Sequence, residues 1–144
     1  MSSGFLLDTN IPSELTKPAP NDRVKEWVIA QDQNSLFLSV VSVGELRKGF
    51  FLLAPSKRRT PLELWFENFL LPLFGTRILP VTQEVADRWG VLSAERQLQG
   101  IPLNTADGLI AAAAIHFGLT VVTRNAKDFA GMDVAVLNPW EVHP

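Results

Sequence analysis

The 144-residue chain contains no cysteine. Disulfides, thiolate metal sites and cysteine nucleophiles are therefore excluded. The absence is compatible with a reducing compartment, and a cytoplasmic location is the expectation. Long apolar runs are missing too. None approaches the ~18 residues a membrane span needs. The apolar start Phe5-Leu6-Leu7 is broken at once by Asp8, so no signal peptide is expected. There are only two histidines, His116 and His143, and they form no zinc pattern. His116 is expected simply to end a helix. No glycine-rich phosphate loop and no Gly-x-Ser-x-Gly elbow is found. Excess positive charge is also lacking: 13 Lys and Arg stand against 15 Asp and Glu. Such a chain does not grip nucleic acid broadly through phosphates, so any such substrate needs metal ions and a local basic patch. The one dense basic run is Lys57-Arg58-Arg59. It reads either as that patch or as a solvated loop before a helix.

What is present suits one packed domain, expected to span 1–144. The sequence is 47% hydrophobic and 19% charged, without repeats or linkers. Phe5 to Leu7, Leu36 to Val41, Ile78 to Val81, Thr120 to Thr123 and Val134 to Leu137 read as strands. Each is a short continuous apolar run. Helices are expected between them. Asn10 caps a short one with Pro12 in its first turn. Val24, Trp27 and Val28 mark one face of a helix from Asn21 to Gln31. Ser42 caps a helix reaching Leu53, and another runs from Pro61 to Leu71. Thr82 to Leu98 is stopped by Gly100 and Pro102. Asn104 caps an Ala-rich helix ending at Gly118, and a helical turn follows Asn125. Alternating strands and helices predict an α/β fold, with a five-stranded parallel sheet and helices on both faces. Such sheets bind ligands at the carboxyl ends of their strands, where strand order reverses.

Several acids fall at such places. Asp8-Thr9-Asn10 puts three polar side chains straight after an apolar strand. Asp8 is either a ligand for a cation or a strand-end turn residue. Glu45 lies three residues after Ser42, which makes a capping box, yet the same first-turn acid would face a strand-end cleft. Asp107 repeats that spacing after Asn104, at the head of a helix apolar almost all round. It reads as a cap or as a ligand. Thr123-Arg124-Asn125 follows the fourth strand, with Asp128 one turn later. If the first and fourth strands are neighbours, these groups face Asp8. Asn125 would then hold a water or a phosphate oxygen, and Asp128 either adds a carboxylate or stays on the surface. Convergent carboxylates repel unless a cation joins them, and all-oxygen donors suit Mg²⁺ or Mn²⁺. Carboxylates with such a metal suit phosphodiester hydrolysis.

Four motifs in order, Leu6-Leu7-Asp8-Thr9-Asn10, Ser42-Val43-Gly44-Glu45-Leu46, Thr105-Ala106-Asp107-Gly108-Leu109-Ile110 and Thr123-Arg124-Asn125, resemble the PIN domain. Over nearly the whole chain the likeness is closest to toxins of the VapC and FitB type. Leu73 to Pro80 and Val134 to Trp140 look like the FitB branch. The resemblance implies a Mg²⁺- or Mn²⁺-dependent endoribonuclease, the toxin of a type II toxin–antitoxin pair. It implies RNA as substrate, a homodimer, and a DNA-binding antitoxin as partner. Asp8, Glu45 and Asp107 fall on the family's metal-holding acids. The fourth acidic position is Asn125 here, a departure for which Asp128 is a substitute. Thr9 and Thr123 match polar residues lining the cleft.

Leu64-Trp65-Phe66, Phe69-Leu70-Leu71 and Phe50 to Leu53 are apolar beyond one helical stripe. That suits either a thick core or a docked partner. The sequence leaves three other functions to compare. The first is a catalytically weak PIN-like module acting through its antitoxin. The second is an aspartyl phosphatase, which commonly wants an acid where Asn10 stands. The third is a receiver domain, for which the acidic pair and a late lysine are missing.

Overall fold

The computed structural model describes residues 4–53, 55 and 58–141. Lys57 and His143 lie outside the described residues. Five parallel strands form one sheet: β1 (Phe5–Leu7), β2 (Leu36–Ser39), β3 (Ile78–Leu79), β4 (Thr120–Val122) and β5 (Val136–Leu137). Their spatial order is β3-β2-β1-β4-β5. The chain steps outward from β1 to β3, then returns to β1's other side. The reversal point therefore lies between β1 and β4, where a parallel sheet opens a crevice at its carboxyl edge.

Successive side chains of a strand point to opposite faces, and here both faces are covered. Leu6 and Val121 enter one core, with Val85, Leu92 and the buried alanines 111 to 114. Leu7 and Val122 enter the other, with Ile11, Leu38, Leu46, Phe66 and Phe74. The first core lies under α6 (Gln83–Leu98) and α7 (Thr105–Phe117). The second lies under α1 (Asn10–Leu15), α2 (Asp22–Ala30), α3 (Val40–Leu52), α4 (Arg59–Trp65) and α5 (Leu71–Phe74). A π-helical segment, Phe66–Leu70, joins α4 to α5 in one continuous run. The expected alternation of strands and helices is thus realised.

Two helix starts differ from expectation, and both matter for the site. The strand predicted to reach Val41 ends at Ser39, whose hydroxyl accepts from the Val41 N–H at 3.0 Å. Helix α3 begins there, so Ser42 is not its cap. Val40 and Val41 favour strand locally, but the Ser39 cap and tertiary packing override that weak preference. Asn10 likewise is not a cap: it is the first residue of α1, and its side chain turns toward the strand ends. Asn104 does cap α7, accepting from Asp107 N–H at 3.2 Å. Asn21 caps α2 in the same way. Helix α7 ends at Gly118, whose φ of 69° is the left-handed conformation a helix terminator needs.

Candidate active site

The sheet register builds the site. Leu7 pairs with Val122, and the Asp8 N–H donates to Val122 O at 2.9 Å. The next residues, Asp8 and Thr123, therefore leave the sheet side by side. The Thr123 hydroxyl, fully buried, donates to Asp8 Oδ2 at 2.8 Å. The Thr9 backbone N–H donates to Asp8 Oδ1 at 2.8 Å. Thr123 Oγ1 in turn accepts from Asn10 Nδ2 and from the Asn125 N–H. Asn10 Oδ1 accepts from the Arg124 N–H at 3.3 Å. Asp8 is only 6% exposed, and this network sets its orientation.

Helix α3 brings a second acid. The Thr9 hydroxyl donates to Glu45 Oε1 and lies 2.9 Å from Ser42 Oγ. Having one hydrogen, Thr9 gives it to the carboxylate and accepts from the serine. Ser42 is fully buried and one turn before Glu45, so the two share a helix face. Their spacing, expected to be a capping box, instead ties α3 to the residues after β1.

Asp107 comes from the first turn of α7. Asp128 comes from the short 3-10 turn Ala126–Phe129 after β4. Two carboxylates feel the charge of the others. Burial pushes the Asp107 carboxyl up to about 6, and the charges of Asp8, Asp128 and Glu45 add to it. Burial also raises Asp8, with Glu45 and Asp128 adding while the Thr123 and Thr9 hydrogen bonds oppose. Asp8 and Asp107 thus each feel the charges of Glu45 and Asp128. Asn125 is exposed, and its backbone rather than its amide meets the network. The sequence offers Ser42 only as a cap, and Asn10 as a cap and as one of three polar residues after β1. The signal for Ser42 is its one-turn spacing from Glu45, which a capping box shares.

Among the described residues no three or more Asp, Glu or His side chains are gathered closely enough to hold a metal ion together. Asp8 and Glu45, both bonded to Thr9, and Asp107 and Asp128, which line one depression, offer oxygen donors in pairs. That fits a small hard ion such as Mg²⁺, which keeps several waters and uses only one or two protein carboxylates directly. His116 is exposed at the end of α7 against Phe117, as expected of a helix-end residue.

The head of α7 is held by close packing. A Cβ on Gly108 would lie 2.8 Å from the Trp89 ring and 2.9 Å from Leu103. Alanine there is expected to push α7 off α6 and displace the adjacent Asp107. The overpacking should exceed alanine's gain in helix propensity and destabilise by about 1–2 kcal/mol. Urea denaturation of Gly108→Ala checks it, and an unchanged midpoint with unchanged slope contradicts the packing account.

Residues 5–134 match the PIN domain family, and the chain belongs to that family. Over 136 residues it is 42% identical to Toxin FitB of Neisseria gonorrhoeae, covering 94% of this chain and 98% of that protein. It is 37% identical to VapC ribonuclease Y4jK of Sinorhizobium fredii, covering 95% of this chain and 98% of that protein. In three dimensions it matches a chain of the FitAB complex bound to an IR36 DNA fragment. The TM-score is 0.91 at 38% identity, with 97% of this chain and 98% of that one covered.

Proposed function

We propose that this protein is a divalent-metal-dependent endoribonuclease, the toxin of a type II toxin–antitoxin pair. The observation that carries the reading is Asp8, held at the β1/β4 strand ends by Thr123 and Thr9, with the charges of Glu45 and Asp128 acting on both it and Asp107. Ribonuclease and toxin names among full-length relatives support it. Asp8, Asp107 and Glu45 would hold the ion, and Mg²⁺ or Mn²⁺ suits their oxygens. A bound divalent cation supplies Lewis-acid charge and makes hydroxide available near neutral pH.

The chain's own residues then have defined tasks. Thr123 and the Thr9 N–H hold Asp8 in one orientation with both oxygens occupied. The Thr9 hydroxyl holds one oxygen of Glu45. Asp107, drawn toward neutrality when alone, is the acid that gains most from a cation's arrival. Asn125, exposed after β4, would donate to a phosphate oxygen of the incoming strand. With Asp128 beside Asp8 and Asp107, the acid missing at Asn125 is replaced, which weighs against the catalytically weak alternative.

An antitoxin partner is supported by surface chemistry. Phe51, Leu52, Leu64 and Phe69 are all exposed, so the apolar excess on α3, α4 and the π-helical run does not simply thicken the core. Beside them lies a cavity of about 350 Å³ between α1/α2 and the α4–α5 run, walled by Leu15, Val28, Ile29, Phe69 and Leu73. Apolar surface of this kind suits an antitoxin segment or a second protomer. No helix is long and apolar enough to cross a membrane among the described residues.

Cleavage of total cellular RNA by wild type and Asp8→Asn, each titrated with Mg²⁺ and Mn²⁺, tests the function. Wild type is expected to cut only with metal, and the variant not to cut. Equal cleavage by both proteins contradicts the assignment.

A further inference from the structure

Four carboxylates at the strand ends repel a polyanion, so an RNA strand needs cations close beside them. Several basic side chains are committed to other partners. Arg124 lies over the Trp140 ring at 5.3 Å, and its charge acts on Glu14. Lys17 pairs with Glu14 at 2.8 Å. In the basic run, Arg59 is held by Glu63, the Phe51 ring and Leu53 O. Arg47 sits between Glu63 and Glu67.

Lys127 differs. It is exposed, and among the described residues its ammonium has no carboxylate at ion-pair distance. It is not among the charges that shift Asp8 or Asp107. With Arg96, Asn104, Asp107 and Asp128 it lines an open depression beside the acidic crevice. Arg96 is fixed there: its Nε donates to Ile101 O and a terminal nitrogen to Ala130 O, each at 3.3 Å. The other terminal nitrogen remains for a ligand. Asn104 uses its carbonyl oxygen to cap α7, which leaves its amide NH₂ as a further donor.

We propose that this depression is the subsite for an RNA phosphate flanking the scissile one, with Lys127 and Arg96 as its cations and the Asn104 amide as a neutral donor. The inference rests on the ribonuclease reading. It also explains why RNA and metal would bind cooperatively. Asp107 and Asp128 line the same depression, so it attracts phosphate fully only when a divalent cation offsets them. The strand therefore leaves the metal site on the α7 side of the crevice, away from Arg124.

The probe is a short single-stranded phosphorothioate RNA of randomised sequence, titrated in Mg²⁺ over a range of salt and followed by fluorescence anisotropy. A randomised strand suffices, because the phosphate contribution is independent of sequence. Lys127→Ala is expected to weaken binding about five-fold and to make the log–log salt slope shallower by about 0.7, one phosphate contact on a single strand. Lys127→Arg should restore both. Arg88→Ala, an exposed cation in a separate depression on α6, should leave both unchanged. The proposal is overturned if Lys127→Ala matches wild type, if Lys127→Arg fails to rescue, or if Arg88→Ala loses as much. A companion assay with unmodified RNA separates the two levels. If wild type cleaves but Lys127→Ala binds normally, only the subsite fails. If wild type neither binds nor cleaves RNA, the function fails and the subsite with it.

Discussion

Asp107→Ala is expected to lower metal-dependent RNA cleavage by roughly a thousand-fold or more, since on the proposed function it removes a carboxylate that would hold the metal, together with the charge stabilisation that depends on it. The fold should survive. Asp107 is half-buried at the first turn of α7, and the Asn104 side chain still caps that helix through a backbone N–H that alanine retains. Removing one of four mutually repelling carboxylates even favours the metal-free fold. The variant should therefore melt at or slightly above the wild-type temperature without metal, and respond less to added Mg²⁺. Asp8→Ala should lose cleavage to the same extent, but for a different structural balance. Its carboxylate accepts from Thr123 and Thr9, so its loss leaves the buried Thr123 hydroxyl without its acceptor. That costs about 1–3 kcal/mol, partly offset by relief of a buried charge. Both variants are expected to abolish growth arrest on induction in a bacterial host. A soluble Asp8→Ala or Asp107→Ala protein that still arrests growth and cuts RNA contradicts the assignment.

Removing divalent metal is expected to stop cleavage altogether and to make stability rise on mild acidification. Asp107 has its carboxyl raised to about 6 in the folded chain, from an ordinary 3.8. Asp8 is raised as well. A raised acid binds its proton more tightly when folded, so the folded state carries more protons between the two values. Stability of the metal-free protein should then increase as pH falls from 7 toward 5, and decrease on the return. Allowing for solvent screening at a half-exposed group, Asp107 contributes about 0.5–1 kcal/mol over that window, a melting shift of about 1–5 °C for a domain of this size. Glu14 works the other way. Its bond to Lys17 holds its carboxyl below the usual range, so its contribution is lost only at lower pH, as it protonates. Saturating Mg²⁺ should remove the gain on acidification, because metal and proton compete for the same oxygens. Apparent metal affinity should fall as pH drops through about 6, the value for Asp107. Calorimetric melting at pH 5 and 7, with chelator and with Mg²⁺, checks both signs. A metal-free protein that loses stability between pH 7 and 5 contradicts the carboxylate cluster.

The parts of this site written in local chemistry were legible in the sequence. Asp8 follows an apolar run, Asp107 follows a helix cap, and Thr123 ends a β-branched strand. Each therefore announces a strand end or a helix start, which is where an α/β sheet gathers polar groups. The helical turn carrying Asp128 was also readable, but its closeness to Asp8 was not. That depends on β4 lying next to β1, a pairing no local pattern encodes. The start of α3 was misplaced because Val40 and Val41 favour strand, while a single buried serine cap and the packing of Ser42 favour helix. Local propensities differ by well under ~1 kcal/mol, so one such tertiary contact decides. The same error hid the Ser42–Thr9–Glu45 connection, since a Ser-x-x-Glu spacing describes both a capping box and two residues on one helix face. The near-contact of Gly108 with Trp89 left no trace in either segment, because it is a property of how α6 meets α7.

Anomalous diffraction from crystals soaked in Mn²⁺ at neutral pH tests the gathering of these acids around a hard cation most directly. The account predicts an anomalous peak at the carboxyl edge between β1 and β4, about 2.1 Å from carboxylate oxygens of Asp8 or Asp107, and its loss in Asp107→Ala. A peak that persists in Asp107→Ala, or Mn²⁺ found only elsewhere on a protein that still cleaves RNA, contradicts it.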